Sequence, residues 1–363
     1  MATDTGMTLR FLSQEAAIEA GVTDMPSCVE TIEAVFELHD EGHTLMGGNG
    51  GLTHGQMLRW PGESADPKMP PAGPDRRFAA MPAYVGGEFY KVGLKWYGSN
   101  VNNPAERGLP RSVHLIVLND PDSGTPVAVL DGTLVSAMRT GAVAGVGARH
   151  IQGDRATAAA VIGAGVIGRT STMALDAALE DLEQVDVFDL DIDKAKSFSE
   201  ALTGDLDATI EATESMEAAV TGADVVVVAA AGPTPPSIDP AWLEPDSLVI
   251  PLGDLDMPLS AIDDGGIYVD DVNNVLEFIE HLDWQMPDAL GAALASGDRS
   301  RGDLRRLHEL VNGTTDADTT GRSLLYALGL PIEDVAWASV VLETAIDDDL
   351  GTELHLFQEP HWK

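Results

Sequence analysis

The chain is poor in cysteine and lacks any long apolar run. Cys28 is the single cysteine in 363 residues, which excludes an intrachain disulfide and a zinc site built from several cysteines. We expect Cys28 to be a small apolar residue of the core. No apolar run approaches the ~20 residues of a membrane-spanning helix, and the first residues lack the basic-then-apolar pattern of an export signal. We therefore expect a cytoplasmic protein.

Cations are also scarce. Lys and Arg number 21 against 59 Asp and Glu, which gives a formal net charge of −38. Such a surface repels nucleic acids and anionic membranes, so we expect neither as a partner. Molar salt shortens the Debye length to about 3 Å and screens the self-repulsion of an acidic surface. The composition therefore favours a halophilic protein of a salt-rich cytoplasm; the alternative is an ordinary acidic protein.

A glycine-rich turn follows an apolar strand in the middle of the chain. Small and β-branched residues over 156–162 are typical of a buried parallel strand. Gly163, Gly165 and Gly168 then fit G-x-G-x-x-G, and a helix is predicted over 169–179. The first glycine allows a tight turn, the second lets the backbone approach a pyrophosphate, and the third lets helix and strand pack closely. The free N–H groups at the start of the helix favour phosphate oxygens.

An acidic residue ends the next predicted strand. Gln184–Phe188 leads into Asp189, 26 residues after Gly163. An acidic side chain there accepts hydrogen bonds from the hydroxyls of an adenosine ribose. It also repels a 2′-phosphate, so the sequence predicts NAD rather than NADP. A glycine-rich turn followed by a solvated Asp is the alternative interpretation.

The order of strand and helix patterns indicates the domains. Alternation from about 150 to 290 predicts an α/β fold with a Rossmann-type doubly wound parallel sheet, in a dinucleotide-binding domain over 136–319. The apolar region 323–345 is expected to be helical and to pack back on the first domain. Segments 1–135 and 320–363 would then form one discontinuous α+β substrate domain. The predicted helices cover 16–39, 136–150 and 216–220, and the predicted strands cover 78–84, 90–97, 112–118, 126–130, 205–210, 224–228, 248–250 and 267–269.

Basic residues concentrate before the glycine turn. Nine of the 21 basic residues lie within the 81 positions from Arg59 to Arg139, which indicates an anion site for a substrate carboxylate and a pyrophosphate. Lys95 is the strongest candidate, because its neighbours Leu94 and Trp96 would reduce its hydration and bring its pKa towards the range of a general acid or base. A lysine on a solvated strand face is the alternative.

Two further groups of polar residues are candidates. Asp254 and Asp256 follow the strand 248–250, at the carboxyl edge of the sheet where ligands bind in such folds, and either could hold or deprotonate a substrate ammonium. A polar turn is the alternative. His39 and His43 are the only histidines with a spacing suited to metal, but no third ligand is apparent. We expect solvated histidines there and no metal.

Several short motifs occur in a fixed order along the chain. As a set they resemble the ornithine cyclodeaminase/mu-crystallin family over about residues 50–345, and the runs 95–100 and 118–120 are closer to a branch labelled as a tyramine oxidase subunit. The motifs are Met81–Tyr84 (MPAY), Gly93–Trp96 (GLKW), Asn100 followed by Gly108–Pro110 (GLP), Arg139–Ala142 (RTGA), Val161–Gly165 (VIGAG), Asp256–Pro258 (DMP) and the closing stretch 328–336 (LGLPIEDVA).

The resemblance implies a homodimer in which the discontinuous domain also forms the dimer contact. It implies that Lys95 and Asp256 are catalytic, and that Arg59, Lys95 and Met81 bind substrate. Arg76 and Arg77 are rivals of Arg59 for the substrate carboxylate. Two departures weaken ornithine cyclodeamination, since Ser260 stands where the family has a basic residue and Ala79 where it has an acidic one. The cofactor-binding residues that it implies are Arg139, Thr140, Gly163, Gly165, Val166, Ile167, Gly168, Asp189 and Gly253.

The sequence therefore predicts an NAD(H)-dependent enzyme acting on a small L-amino acid or its imine, with hydride transfer at the α-carbon. An amino-acid dehydrogenase, an imine reductase and a cyclodeaminase remain open. A non-catalytic nucleotide- and ligand-binding protein, or an accessory subunit of an amine-oxidising system, is the alternative.

Overall fold

The computed structural model describes residues 6–48, 55–73, 75–232, 234–262, 265–281, 284–318 and 320–362. The chain divides into two compact units. Unit 1 comprises 1–24, 42–136 and 331–363, and unit 2 comprises 25–41 and 137–330. The units differ from the predicted segments chiefly at 25–41, a helix that belongs to unit 2 because its apolar face packs on helices of that unit.

Unit 1 contains an eight-stranded sheet and three short or medium helices. Its strand order is β16-β1-β7-β6-β5-β4-β2, with β3 paired to β4. Every strand pair is antiparallel except β1 with β7. The strands are β1 Met7–Leu12, β2 Thr44–Met46, β3 Gln56–Arg59, β4 Arg77–Val85, β5 Lys91–Ser99, β6 Ser112–Asn119, β7 Pro126–Asp131 and β16 Thr352–Phe357, and the helices are α1 Gln14–Glu19, α3 Asn103–Arg107 and α11 Pro331–Asp347.

Helix α11 covers one face of this sheet. It packs on β4, β5 and β6, and Val335 lies so close to Gly93 that a Cβ at 93 would approach its side chain to 2.6 Å. The two strands that carry the candidate substrate residues therefore turn their inner face towards α11. The expected return of the C-terminal segment to the first domain corresponds to this packing.

Unit 2 contains an all-parallel sheet of eight strands. The order is β10-β9-β8-β11-β12-β15-β13-β14, which begins with the 3-2-1-4-5 order of a Rossmann fold and reverses direction between β8 and β11. The predicted doubly wound parallel sheet is confirmed. The strands are β8 Ala158–Ile162, β9 Gln184–Phe188, β10 Thr209–Ala212, β11 Val225–Val228, β12 Leu248–Pro251, β13 Ile267–Val269, β14 Leu304–Arg306 and β15 Ser323–Tyr326.

Helices flank this sheet, and the chain enters it through a long one, α4 Thr133–Ile151. Gly141 and Gly145 of α4 allow a close approach to the next helix, since a Cβ at Gly145 would meet the Ala174 carbonyl oxygen at 2.6 Å. The other helices are α2 Met25–Asp40, α5 Val166–Ala178, α6 Ile192–Leu202, α7 Met216–Val220, α8 Val272–His281, α9 Gln285–Ser296 and α10 Leu307–Val311.

Three sequence predictions of elements need correction. The region 323–345 is not continuously helical, because Ser323–Tyr326 is a fully buried strand between two parallel neighbours; a short apolar run does not distinguish a strand from a helix. The strand predicted over 205–210 is β10, Thr209–Ala212, because a turn at Gly204 (φ +87°) precedes it. The helix predicted over 16–39 is two helices, broken at Gly21 (φ +83°).

Candidate functional site

The three glycines after β8 serve different structural needs. Gly163 has φ +114°, and a Cβ there would meet the Ala230 nitrogen at 2.7 Å. A Cβ at Gly168 would overlap with the carbonyl oxygen of Gly163. A Cβ at Gly165 would meet no protein atom within 4 Å, so packing of the protein does not require a glycine at that position.

Asp189 lies at the end of β9, beside this turn. Its Oδ2 accepts hydrogen bonds from the Ala164 backbone N–H and the Lys194 ammonium, each at 2.9 Å. Burial raises the pKa of Asp189, but the hydrogen bonds from Lys194 and from the Asp191 and Ala164 amides outweigh it, so the pKa lies below its ordinary value. The carboxylate is thus ionised and tied to the glycine turn.

Two apolar side chains beside the turn are exposed. Val166, at the start of α5, is 64% exposed, and Leu190, directly after Asp189, is 95% exposed. Ile167 is half-buried. The surroundings of the glycine turn therefore combine free helix N–H groups, an ionised carboxylate and apolar contact area.

Arg139 and Thr140 belong to α4, within unit 2. Arg139 is 6% exposed, and its guanidinium lies directly against the Cα of Gly329, where a Cβ would overlap with it. Gly329 has φ +84°, so both its conformation and its neighbour require glycine. Thr140 is half-buried.

The loop after β12 separates the two candidate aspartates. Asp254 Oδ1 accepts hydrogen bonds from the backbone N–H groups of Gln285, at 2.8 Å, and Met286, at 3.4 Å, so it caps the start of α9. Asp256 is exposed. Gly253 approaches the Ala230 carbonyl oxygen, which a Cβ would meet at 2.8 Å. Asp254 therefore has a structural role, and Asp256 is the aspartate available for a ligand.

Asp270 was missed by the sequence predictions. It follows β13, is fully buried, and accepts hydrogen bonds from the N–H groups of Leu328 at 2.7 Å and Gly329 at 2.6 Å. Burial raises the pKa of Asp270 to about 6, although these hydrogen bonds oppose the shift. Asp270 thereby holds the turn against which Arg139 packs. Its only signal in the sequence is an acidic residue directly after an apolar strand.

Lys95 lies on β5 within unit 1 and is buried, with 2% exposure. Its Nζ lies 2.6 Å from Oδ2 of Asp334, which is fully buried on α11, and 3.3 Å from Oγ of Ser136. The Tyr97 ring centroid is 5.6 Å from the same Nζ. Lys95 is thus not on a solvated face, and the carboxylate stabilises a charge that apolar neighbours alone would disfavour. The sequence offered Asp334 only as part of the closing motif.

The register of the sheet brings the other substrate candidates to the face of Lys95. Met81 pairs with Lys95, and Arg59 pairs with Arg77. Directly opposite residues share a face of a sheet, and alternate residues of one strand do so too. Met81 is buried and Arg59 is exposed. Arg76, which points to the opposite face, donates to the Pro71 carbonyl oxygen at 2.9 Å.

The remaining predicted ligand types occupy other places. His39 is not solvated as expected, because its ring packs edge-on against His308 with centroids 4.7 Å apart. Burial, and next the charge of His308, lower the pKa of His39 to about 4. Cys28 is fully buried, as predicted. In the ranges that the structure describes, no three His, Cys, Asp or Glu residues gather as metal ligands, and no helix is long and apolar enough to cross a membrane.

Comparison with known proteins identifies the family. The model of the ornithine cyclodeaminase/mu-crystallin family matches residues 22–349. The chain is 30% identical over 299 residues to N-((2S)-2-amino-2-carboxyethyl)-L-glutamate dehydrogenase of Staphylococcus aureus, which covers 77% of this chain and 82% of that protein. It is 28% identical over 292 residues to alanine dehydrogenase of Archaeoglobus fulgidus, which covers 77% of this chain and 84% of that protein. The chain therefore belongs to the ornithine cyclodeaminase/mu-crystallin family, and the resemblance drawn from its motifs is confirmed.

A solved structure shows the same fold. The Δ1-pyrroline-2-carboxylate reductase of Thermococcus litoralis, solved in complex with NADH and L-proline, superimposes with a TM-score of 0.79 at 23% identity. The match covers 95% of this chain and 99% of that chain. The predicted fold class, a Rossmann-type domain with a discontinuous second domain, is thus confirmed.

Proposed function

We propose that this protein is an NAD(H)-dependent enzyme that acts on a small L-amino acid or the corresponding imine. The observation that carries the proposal is the buried Lys95–Asp334 pair on a sheet face that also presents Arg59, in a chain whose second unit has a complete dinucleotide-binding turn. The two relatives named above, which are dehydrogenases of amino-acid compounds, support the same reaction class.

The residues of unit 2 fit a dinucleotide. Gly165 gives a pyrophosphate access to the backbone, and the first N–H groups of α5 favour its charge. Asp189 would accept the ribose hydroxyls and disfavour a 2′-phosphate, which selects NAD. Val166 and Leu190 offer apolar surface to the adenine, while Arg139, Thr140, Ile167 and Gly253 complete the set. When bound, the nicotinamide accepts or donates the hydride at the α-carbon of the substrate.

The substrate side of the reaction belongs to charged residues. Arg59 and Lys95 would hold the carboxylate, since a guanidinium and an ammonium both favour that anion. Met81 packs beside Lys95. Asp256 would stabilise or deprotonate the substrate nitrogen, and Lys95 would move a proton through its Nζ. In a dehydrogenase or imine reductase NAD changes oxidation state at each turnover, and in a cyclodeaminase it is regenerated.

An assay of two products separates the reaction types. Protein in molar KCl is incubated with NAD and a panel of L-amino acids, and NADH and ammonia are followed separately. NADH formation identifies a dehydrogenase, and ammonia without NADH from a diamino acid identifies a cyclodeaminase. Tight NADH binding with no turnover of any amino acid or imine contradicts the enzymatic proposal and favours the binding protein.

We propose further that the chain forms a homodimer in a salt-rich cytoplasm. The sheet of unit 1 has an apolar outer face, on which Trp96 pairs with Leu115 and stacks on Phe78 at 5.8 Å between ring centroids. Trp96 is 44% exposed and Leu115 is 45% exposed, and such a contiguous apolar face favours a protein partner. The net charge of −38 supports the salt-rich location.

A further inference from the structure

An arginine pair lies on the same sheet face as Lys95. Arg77, on β4, donates from Nε to the Tyr97 hydroxyl at 3.2 Å, and its Cζ lies 5.8 Å from the Tyr97 ring centroid. Lys95 Nζ lies 5.6 Å from the same centroid. Tyr97 also stacks on His114, with centroids 4.9 Å apart. The ring therefore stands between the ammonium of Lys95 and the guanidinium of Arg77.

Arg77 and its neighbour Arg111 share a single carboxylate. Asp75 contacts Arg77 through Oδ1 and Arg111 Nε through Oδ2, the latter at 2.7 Å. The side chain of Asp75 is only 11% exposed, and Ser99 donates to its Oδ2. Burial, and next the charge of Arg77, lower the pKa of Arg111, which reflects two guanidinium groups beside one anion. The cluster therefore has one positive charge in excess.

The geometry of Arg111 leaves its fork available. Asp75 engages Nε alone, and within the described ranges no acceptor contacts the two terminal nitrogens of Arg111. The planar pair of N–H groups on such nitrogens matches both oxygens of a carboxylate. In a chain with 59 acidic residues and 21 basic ones, two arginines held around one half-buried acid form a specific anion site.

We propose that the substrate carries a second carboxylate, as in an acidic amino acid or its imine, and that Arg111 and Arg77 bind it. The inference rests on the proposed function, in which Lys95 and Arg59 hold the first carboxylate. Asp75 positions the two guanidinium groups and is not itself a ligand. Ala79 faces the same region, where the family pattern has an acidic residue, so no carboxylate at that position repels the second anion.

Isosteric pairs of amino acids test the inference. L-Glutamate is compared with L-glutamine, and L-aspartate with L-asparagine, in kcat/KM with NAD and in equilibrium binding by calorimetry with and without NADH. We expect the acid of one pair to be favoured over its amide by about tenfold to a hundredfold, as for charge-assisted hydrogen bonds. Arg111→Gln and Arg77→Gln should each reduce this ratio towards one.

The control is Arg107→Gln, which removes an exposed arginine of α3 that is paired with Glu106. It should leave the acid-to-amide ratio unchanged, and thermal unfolding of all variants reports whether they fold. An equal affinity for acid and amide in the wild type, no binding of any of the four amino acids, or a ratio that survives both substitutions contradicts the inference. Turnover of neutral amino acids would then still support the proposed function, whereas acid-selective binding without turnover supports the inference and contradicts the enzyme.

Discussion

Lys95 and Asp334 are more informative together than either is alone. Both are buried and their charged atoms are 2.6 Å apart, so each offsets the cost of removing the other from water. A lysine retained at such a cost on a sheet face with Arg59 and Arg77 indicates a role beyond stability. The carboxylate and the Ser136 hydroxyl also fix the position of Nζ, as a proton-transferring group requires.

Replacement of Lys95 separates catalysis from stability. Lys95→Ala should lower turnover by about a hundredfold or more, while NADH affinity stays within about twofold because the dinucleotide residues are elsewhere. It should also cost about 3–5 kcal/mol of stability, since Asp334 becomes an unpaired buried charge. Turnover assays, NADH fluorescence titration and urea unfolding provide the measurements.

Two further variants sharpen this prediction. Lys95→Met combined with Asp334→Asn should recover stability without recovering turnover. Lys91→Ala, on the same strand but paired with the exposed Glu343, should change neither turnover nor stability appreciably. Normal turnover in the Lys95 variants would remove this residue from the mechanism.

Asp270 gives unit 2 a defined pH dependence. Its pKa of about 6 exceeds the ordinary value of about 3.9, so between these values the folded chain binds more protons than the unfolded chain. Its stabilising contribution is therefore present in full below about pH 4 and is lost as the pH rises through 6. Asp270→Asn keeps an acceptor for the Leu328 and Gly329 amides and abolishes the titration.

The difference in unfolding free energy between wild type and Asp270→Asn should thus fall by about 3 kcal/mol from pH 4 to pH 7. Urea unfolding at fixed KCl concentration measures it. Asp271→Asn is the matched control, since Asp271 caps the N–H of Asn274. The neighbouring His39, whose pKa is lowered to about 4, acts with the opposite sign between 4 and 6.5, but it cancels because every variant retains it. Parallel pH profiles would contradict the assignment.

At the scale of elements, the strand–turn–helix unit around Gly163 joins local sequence to function. The glycines have distinct duties: Gly163 and Gly168 are required by close backbone contacts, whereas Gly165 is not. Spacing alone assigns all three to one motif. Only the contacts show which of them the fold needs and which is left for a ligand.

Substitution of two glycines tests that distinction. Gly165→Ala should leave the thermal midpoint almost unchanged and weaken NADH binding by about tenfold or more, because the methyl group occupies the approach of the pyrophosphate. Gly168→Ala should lower stability by about 1–3 kcal/mol through overpacking. Gly204→Ala, remote from this turn, is a control for general effects of a glycine replacement with positive φ. Equal NADH affinity in Gly165→Ala would contradict the dinucleotide site.

At the scale of the whole molecule, charge sets the conditions of stability. Repulsion among 59 acidic residues destabilises a compact state when salt is low. The thermal midpoint should rise by several degrees from about 0.2 M to molar KCl, as the Debye length shortens. Sucrose of equal osmolality is the control, because it favours burial without screening charge. A similar rise in sucrose would show that screening is not the cause.

The outer face of the unit 1 sheet predicts the assembly. Leu115→Asp should convert a dimer into a monomer of half the mass, since an exposed apolar pair with Trp96 would be interrupted by a charge. Sedimentation equilibrium in molar KCl measures the mass. Ile18→Asp on α1 replaces a side chain with a similar exposure of 46% and should leave the mass unchanged. A monomeric wild type would contradict the dimer.

The sequence by itself determined the parallel sheet, the glycine turn, Asp189, the strands 78–130 and the family. These features depend on local spacing, on alternation of side chains and on buried apolar runs, all of which can be read along the chain. The tertiary structure decided which aspartate caps α9, that 323–326 is a strand, that Asp334 faces Lys95, and that Asp75 gathers Arg77 and Arg111. Those relations join residues up to 239 positions apart, and no local pattern encodes them, because they depend on how strands and helices pack.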